Sequence, residues 1–338
     1  MARTTGAVAA ALATNPKATE LSLIAGDLSG IQKFIYTISS DGALKSLRAR
    51  SFYLELVTEE VVQQLLAALD LPRTNIIYAG GGNLYLLTAA TNKTKEAVSQ
   101  VCQQFNKWLL DEFQCKVFLA LDYLPFSIEH VANEQFAVHW SDVTKQLTGQ
   151  KTRKFADQVT ELIKPRESHE PCRVCHRDDI EILKLLNNRE LDSVLACRTC
   201  RDMFHLGGQL LRVKAIMRSN REQIAGALSL HTLPFKLPAT AQRAATNSYY
   251  HLFPDWKQIV RDSDTVFLVN DWAVEHYQFR HFRNPVPMLL GNYGKPSQKT
   301  PEDSEEPVGF MHTIEMVEQA QGIPRQGERI SIFLVAKQ

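Results

Sequence analysis

The hydrophobic and polar positions between residues 20 and 124 predict four strands and three helices. Strands are expected at residues 21–26, 75–79, 83–88 and 115–124. Helical spacing of apolar residues is found over residues 28–39, 47–69 and 93–113. The order β-α-α-β-β-α-β is that of a split βαβ unit, the ferredoxin-like or palm arrangement. Such a sheet is expected to pack its helices on one face and to leave the other face for a ligand or a partner.

The pattern is less regular after residue 124. Residues 125–168 are polar and favour helix, and a further helix is expected at IEILKLLNN (180–188). DMFHLGGQLLRVKAIMR (202–218) indicates a helix or a strand, and TVFLVN (265–270) a strand, followed by proline-rich turns at RNPVPMLLGNYGKP. GFMHTIEMVEQAQ favours a helix and RISIFLVAKQ a final strand.

These elements predict an α+β chain with several parts. Residues 1–19 are expected to form a flexible N-terminal tail, and residues 20–150 a ferredoxin-like palm domain (βαββαβ). Residues 151–235 contain two Cys-x-x-Cys pairs and would therefore form a zinc-binding domain, and residues 236–338 a mixed α/β segment. Within that segment, residues 295–307 are predicted to be a mobile loop because they contain too few apolar residues to build a core.

Composition limits the functional classes. The chain has 338 residues, 44% of them hydrophobic, and a formal net charge of +1. That charge creates no global attraction to nucleic acid or membrane, so such binding would need a local patch. The sequence has no apolar run close to the ~20 residues of a membrane helix. Four of the six cysteines form two Cys-x-x-Cys pairs, which favours a reduced, cytoplasmic protein over a disulfide framework.

The two cysteine pairs give the strongest chemical signal. Cys172 and Cys175 lie in CRVC, and Cys197 and Cys200 lie in CRTC. Four thiolates can close a tetrahedral zinc site, and a site with four protein ligands is structural. CRVCH also has the form of a c-type haem attachment, but that interpretation leaves the second pair unexplained. A redox dithiol would need a thioredoxin-like context, which the sequence does not offer.

The second signal is AGDLSGIQKF (25–34), where a strand ends in a glycine-containing turn and a helix begins. Backbone N–H groups at a helix start can bind phosphate. The alternative is local: Ser29 and Gln32 have the spacing of a capping box, and Asp27 could satisfy the turn. Asp27 could also bind a metal ion, but one carboxylate without a partner in the hairpin makes a poor two-metal site. Asp122, late in the last of the four strands, could be a second acid, although such a residue more often ends a strand at the surface.

A third signal is the hairpin NIIYAGGGNLYLL (75–87), whose tip of glycines lets a ligand approach the backbone closely. A fourth is the basic cluster of Lys45, Arg48 and Arg50, which could contact a nucleic-acid backbone. The same cluster could instead form ion pairs with the glutamates that follow on the helix.

Taken together, three stretches resemble one family. GDLSGIQKFIYTISSDGALKSLRARSFYLELV, NIIYAGGGNLYLL and the two-pair cysteine segment are similar to the large palm-domain subunit of type III CRISPR effector complexes, especially the Csm-type branch. Members have two facing palms, the second with a Gly-Gly-Asp-Asp hairpin. These palms bind two ATP molecules and join them into cyclic oligoadenylates when target RNA is bound. Many members also carry an N-terminal His-Asp nuclease domain.

The resemblance implies a nucleotide site and a set of partners. It places a nucleotide beside Asp27, Ser29, Gly30 and Ile31 and over the hairpin residues Gly80, Gly81, Gly82 and Asn83. It implies ATP, with Mg²⁺, as a ligand in addition to structural zinc. The implied partners are guide RNA, target RNA, the subunit that binds the guide tag, and the backbone subunits of the complex.

The sequence contains no Gly-Gly-Asp-Asp, and only about 20 residues precede the predicted palm. We therefore expect the first palm and the zinc domain without nuclease or synthase chemistry of their own. On this interpretation the chain contributes a non-catalytic nucleotide-binding palm to an RNA-guided antiviral complex. Two alternatives are half of a split cyclic-oligoadenylate synthase, with a partner that carries the second palm, and a free-standing nucleotide sensor.

Overall fold

The computed structural model describes residues 2–40, 42–228, 248–259, 265–271, 273–277 and 285–288. The helices are α1 (Ala2–Thr14), α2 (Ile31–Ile35), α3 (Ala43–Leu69), α4 (Asn92–Phe113), α5 (Gln135–Lys151), α6 (Val159–Leu162) and α7 (Arg198–Gln209). The strands are β1 (Glu20–Ser29), β2 (Ile76–Gly80), β3 (Asn83–Ala89), β4 (Phe118–Ser127), β5 (Lys184–Leu185), β6 (Leu195–Ala196), β7 (Ala215–Ser219), β8 (Tyr249–Phe253), β9 (Thr265–Val269) and β10 (Pro285–Met288). The chain divides into two compact units, one around β1–β4 and one around β7–β10.

The first unit contains a four-stranded sheet in the order β2-β3-β1-β4. Every neighbouring pair is antiparallel. Strand β1 lies in the interior of the sheet, and its residues 21–26 are buried, as expected for a continuous apolar run. The predicted strands and the predicted helices over residues 47–69 and 93–113 are all present, with ends shifted by a few residues.

Helix α4 is amphipathic and packs on β4 through its mainly apolar face. The Asn106 side chain accepts a hydrogen bond from the Leu119 N–H (2.9 Å) and donates one to the Leu119 carbonyl (2.8 Å). This buried amide thus satisfies both backbone groups of one strand residue and fixes the position of the helix along the strand.

The opposite face of this sheet is covered, contrary to expectation. Leu23, Ala25 and Ala120 on that face share a buried cluster with residues of α1 and α5. Among them, Ala7 and Ala11 of α1 are fully buried. The prediction of a flexible tail over residues 1–19 is therefore wrong, because the small side chains of this alanine-rich stretch let a helix lie close to the sheet.

A buried side chain also ties α1 to the sheet. The Asn75 amide donates to the Ala7 carbonyl (3.0 Å) and to the Leu87 carbonyl in β3 (2.7 Å). These hydrogen bonds have no counterpart in a hydrophobic pattern, so they could not be predicted from the sequence.

The second unit contains a sheet in the order β10-β9-β7-β8. Strand β7 is antiparallel to β8 and β9, and β10 is parallel to β9. The predicted strand over residues 265–270 is confirmed as β9. Residues 285–288, predicted as a proline-rich turn, instead form β10, which lies at an edge where proline is tolerated because one side needs no N–H donors.

Two other predicted helices differ from the structure. Residues 180–188 are not helical, because the segment forms the first strand of a short hairpin in which Lys184 pairs with Ala196. The helix predicted over residues 28–39 is reduced to α2, because β1 extends through Ser29 and Gly30 takes a left-handed conformation (φ 91°). Residues 202–218, for which a helix or a strand was expected, contain both: the end of α7 and then β7.

The mobile loop over residues 295–307, the last helix and the last strand lie outside the described residues. Within the part of the chain that the structure describes, no helix is long and apolar enough to cross a membrane.

Candidate functional site

The structure brings the turn after β1 and the glycine hairpin together. Asp27 of β1 is the register partner of Asn83 at the start of β3. Beyond this pair, the Leu28 N–H donates to the Gly82 carbonyl at 2.8 Å. The two motifs, which are separated by about fifty residues in the sequence, therefore form one continuous backbone surface at the end of the sheet.

Two glycines make this close approach possible. A Cβ atom on Gly82 (φ 85°) would lie 2.2 Å from the Cδ1 of Ile31. A Cβ atom on Gly30 (φ 91°) would lie 1.9 Å from the backbone oxygen of Lys116. Larger residues would thus meet both a steric clash and an unfavourable backbone conformation at these positions. The glycines are needed for the packing of the turn itself, in addition to any ligand.

The side chains of the turn contact the protein rather than projecting freely. The Asp27 carboxylate forms an ion pair with Lys151 of α5 at 2.5 Å. The Ser29 hydroxyl is buried and has no hydrogen-bond partner among the described residues. Helix α2 is capped by Gly30 without a side-chain hydrogen bond. The capping-box alternative for Ser29 and Gln32 is therefore not observed.

Asp122, the second acid that the sequence suggested, is also held by its neighbours. The Gln150 side chain donates to its Oδ2 at 3.0 Å, and the Tyr123 N–H donates to its Oδ1 at 2.9 Å. Adjacent residues of α5 therefore engage Asp27 and Asp122. This use of both carboxylates gives no support to a two-metal site of the polymerase kind.

Sequence reasoning missed an acid at the tip of the hairpin. Glu55 of α3 accepts a hydrogen bond from the Gly81 N–H, at 3.0 Å from its Oε2. Burial raises the pKa of Glu55 above its ordinary value, the Gly81 hydrogen bond lowers it, and the charge of Glu59 raises it further. The one available signal was an isolated glutamate between buried apolar residues of a helix.

The electrostatic effect of Glu55 extends to the hairpin strand. Burial raises the pKa of Tyr78 in β2, and the charge of Glu55 adds to this rise. Glu59, one turn along α3, forms an ion pair with Arg73. The hairpin that carries no acid of its own therefore lies beside a carboxylate from a neighbouring helix.

The predicted basic cluster is largely internal. Arg48 and Arg50 are only 3% and 2% exposed. Arg48 donates to the Gly207 carbonyl at 3.0 Å. Arg50 donates to the Phe34 carbonyl at 3.3 Å and lies over the Phe34 ring. The expectation that these arginines contact a nucleic acid is therefore corrected, because their guanidinium groups serve to pack the protein.

Lys45, the third residue of the cluster, is half-buried. Its ammonium group lies 5.0 Å from the centre of the Phe204 ring, within the range of a cation–π interaction.

The four cysteines of the two Cys-x-x-Cys pairs converge. The sulfur atoms of Cys172, Cys175, Cys197 and Cys200 all lie within 4.8 Å of one another. Four thiolates at Zn–S distances of about 2.3 Å in a tetrahedron have S···S separations of about 3.8 Å. The donor set and its spacing therefore fit a closed metal site. All four side chains are buried or nearly so.

Local backbone structure positions each pair. In the first pair, the Cys172 N–H donates to the Arg177 carbonyl (2.9 Å), and the His176 N–H donates to the Cys172 carbonyl (2.8 Å). His176 takes a left-handed conformation (φ 59°), which closes this tight turn. In the second pair, Cys197 caps α7 and Cys200 lies in its first turn.

An arginine connects the first pair to the end of α4. Arg177 forms an ion pair with Asp179 at 2.8 Å and donates to the Glu112 carbonyl at 2.9 Å. The Arg177 hydrogen bond lowers the pKa of the Asp179 carboxyl, so the pair remains charged. The cysteine turn is thus anchored by contacts that do not involve a metal.

Comparison with known proteins identifies related chains. Residues 20–168 match the family model for the Csm1 subunit, domain B. A Cas10/Csm1 single-strand-specific deoxyribonuclease (subtype III-A) of the CRISPR system of Mycobacterium tuberculosis is 38% identical over 168 residues, which are 44% of this chain and 21% of that protein. Its counterpart in Thermococcus onnurineus is 32% identical over 212 residues, 61% of this chain and 27% of that protein.

Solved structures show the same fold. A Csm1–Csm4 cassette in complex with one ATP has a TM-score of 0.61 and 24% identity, over 88% of this chain and 35% of that chain. An apo Csm1–Csm4 cassette has a TM-score of 0.60 and 22% identity, over the same shares of the two chains. At this identity, the likeness concerns the fold alone. The chain spans about a fifth to a quarter of the length of the curated relatives it matches.

Proposed function

We propose that this chain, which is similar to Csm1/Cas10 subunits of subtype III-A, contributes a nucleotide-binding palm and a structural zinc centre to a type III CRISPR effector complex. The palm comprises residues 20–150 and the zinc domain residues 151–235. In this proposal the chain binds nucleotide without transforming it, and guided recognition of target RNA is a property of the assembled complex.

The observation that carries the proposal is the junction of the β1 turn with the glycine hairpin. Backbone groups of residues 27–31 and 80–83 meet there through the Leu28–Gly82 hydrogen bond. Such a surface with little side chain suits the close approach of a phosphorylated ligand. ATP is the proposed ligand because one related cassette was solved with ATP. Mg²⁺ would accompany the phosphates rather than bind a carboxylate pair of this chain.

The ferredoxin-like palm assignment is supported by the strand order. An order of β2-β3-β1-β4 with antiparallel neighbours is what a split βαβ unit requires, because β3 lies between the two strands that a crossover connects. The additional helices α1 and α5 cover one face of this sheet, so the proposed ligand would bind at its end and not on that face.

Zinc is the proposed metal at the four-cysteine cluster. A set of four thiolates in tetrahedral spacing selects zinc or iron, and zinc supplies cross-linking without redox chemistry. With four protein ligands, Cys172, Cys175, Cys197 and Cys200, the ion would have no open position for substrate. Its role would be to hold the two cysteine pairs together.

The proposed partners follow from the relatives. A Csm4-type subunit is proposed as a neighbour because the solved cassettes pair Csm1 with Csm4. Guide RNA, target RNA and the backbone subunits would join in the complete complex. The buried Arg48 and Arg50 are not assigned to RNA contact in this proposal.

The nucleotide-binding part is tested by calorimetric titration of the chain with ATP. Gly82→Ala is expected to weaken ATP binding at least tenfold, because the added methyl group meets Ile31 and the backbone is left-handed there. Gly149→Ala is the matched control, since a Cβ atom on Gly149 meets nothing within 4 Å. Equal affinity of all three proteins for ATP, or no binding by the unaltered chain at millimolar ATP, would contradict the proposal.

The assembly part is tested by gentle affinity purification of the tagged chain from its native cell. Small RNAs with a shared 5′ end, together with a Csm4-type subunit, are the expected co-purifying partners. Recovery of the chain without RNA or other subunits would favour the sensor alternative over the complex.

A further inference from the structure

The N–H group at the tip of the glycine hairpin is already occupied by an anion of the protein. The Gly81 N–H donates to the Glu55 carboxylate at 3.0 Å. Gly81 lies at an open position, since a Cβ atom placed there would meet nothing within 4 Å. A ligand can therefore reach this tip, but the hydrogen bond that the amide could donate to it is in use.

The carboxylate that accepts this bond differs from its acidic neighbour. Glu59 is engaged with Arg73, through both oxygens of its carboxylate. For Glu55, the contact within the described part of the chain is the Gly81 amide, with no ion pair. A carboxylate that has only a backbone N–H as its partner can leave that partner when a stronger anion competes for it.

We propose that Glu55 is an internal competitor for the anionic ligand of this site, with its carboxylate at the position on the Gly81 amide that a phosphate oxygen takes in the bound state. The inference rests on the proposed nucleotide site and adds the residue that sets its affinity for phosphate. Binding then requires the Glu55 side chain to move away from the hairpin, because two anions held at hydrogen-bond distance from one donor would repel each other.

The competitor and the ligand share chemistry but differ in charge. A nucleoside triphosphate offers several phosphate oxygens, whereas an uncharged nucleoside offers none. Glu55 should therefore weaken the binding of ATP and of inorganic tripolyphosphate and leave the binding of adenosine unchanged. Glutamine at this position keeps an oxygen that can accept the hydrogen bond from the Gly81 N–H, but it removes the negative charge. Glu55→Gln therefore separates repulsion between Glu55 and the ligand from the hydrogen bond that supports the hairpin.

The experiment compares the unaltered chain, Glu55→Gln and Glu96→Gln. Glu96 lies on the exposed face of α4, so its substitution changes the net charge equally without altering the hairpin. Each protein is titrated with ATP, tripolyphosphate and adenosine, and the Gly81 amide is followed by ¹⁵N NMR. We expect Glu55→Gln to bind ATP and tripolyphosphate roughly three- to tenfold more tightly, a change of about 0.6–1.4 kcal/mol. Glu96→Gln should match the unaltered chain.

The possible results separate this inference from the proposed function. If ATP binds but Glu55→Gln binds it no better than the unaltered chain, or more weakly, the nucleotide site stands and the competitor is overturned. If tripolyphosphate shifts the Gly81 signal and binds Glu55→Gln more tightly while ATP does not bind, the competitor stands and the nucleotide site is overturned. If neither anion shifts the Gly81 signal in any of the proteins, both are overturned.

Discussion

At the scale of single residues, the candidate site depends on small side chains placed where backbone segments meet. Gly30 is the most constrained example, because its left-handed conformation and the nearby Lys116 carbonyl both exclude a side chain. The sequence indicated that this glycine belongs to a turn. It could not indicate Lys116, which is distant along the chain.

The substitution Gly30→Ala tests this constraint. We expect it to lower the free energy of unfolding by about 2–4 kcal/mol, from backbone strain and the clash with the Lys116 carbonyl. Urea denaturation measures the change. Gly149→Ala, in the open position on α5, should leave stability unchanged or raise it slightly. A Gly30→Ala protein as stable as the original would show that the turn can rearrange.

Glu55 gives a residue-scale prediction about pH. Its pKa is raised in the folded protein, chiefly by burial, so the folded state binds a proton there more tightly than the unfolded state does. The stabilisation from this group is present at acidic pH and is lost as pH rises through the raised pKa. The stability of Glu55→Gln relative to the unaltered chain should therefore increase from pH 4 to pH 8.

Thermal unfolding of both proteins across this range provides the measurement. Glu96→Gln, at an exposed position, is the matched control in the same series. A stability difference for Glu55→Gln that is constant with pH would mean that Glu55 has an ordinary pKa in the folded protein.

At the scale of elements, the hydrophobic pattern predicted the first sheet well because its strands and helices have strong, regular periodicity. β1 through β4, α3 and α4 all appear where apolar spacing placed them. The pattern failed for α1, because the buried face of this helix is formed by alanines rather than by large apolar residues. It also failed for residues 180–188, where pairing in the hairpin of β5 and β6 overrides the helical spacing. It also missed β10, because prolines at an edge strand resemble a turn.

The role of α1 can be tested through Asn75. Asn75→Ala removes the two hydrogen bonds to the Ala7 and Leu87 carbonyls and leaves both acceptors buried without this donor. We expect a loss of about 2–3 kcal/mol in the free energy of unfolding. Urea denaturation checks this value, with the exposed Asn92→Ala as the control, which should change stability by less than about 0.5 kcal/mol.

A smaller effect would contradict the assignment of α1 as an integral part of the fold. Hydrogen exchange would give an independent measure, since the amides of α1 should lose protection in Asn75→Ala before those of α4 do.

At the scale of the whole molecule, the four-cysteine cluster is the feature that the sequence predicted most completely. The spacing within each pair indicated four candidate ligands, and the structure brings all four sulfur atoms together. For the proposed nucleotide site, the two backbone motifs are visible in the sequence, while Glu55 and Lys151 reach them through tertiary packing.

Metal removal tests the proposed zinc centre. We expect one zinc ion per chain by elemental analysis, and a strong chelator should lower the melting temperature by more than about 5 °C, because metal binding contributes directly to folded-state stability. Cys175→Ser should lose the ion. Cys115→Ser is the matched control, since Cys115 is exposed and lies outside the cluster. Equal zinc content in both variants would refute the proposed ligand set.

The strand order has a consequence for the order of events during synthesis. β1 leaves the ribosome before its partners β3 and β4, so Leu21 can pair only after Ala89 on one side and Phe126 on the other have been synthesised. At about 5–20 residues per second, the second partner arrives roughly 5–20 seconds after the first strand. During that interval, residues 21–26, which are buried in the folded sheet, are exposed in the nascent chain and depend on chaperones or on transient helical contacts for protection from aggregation.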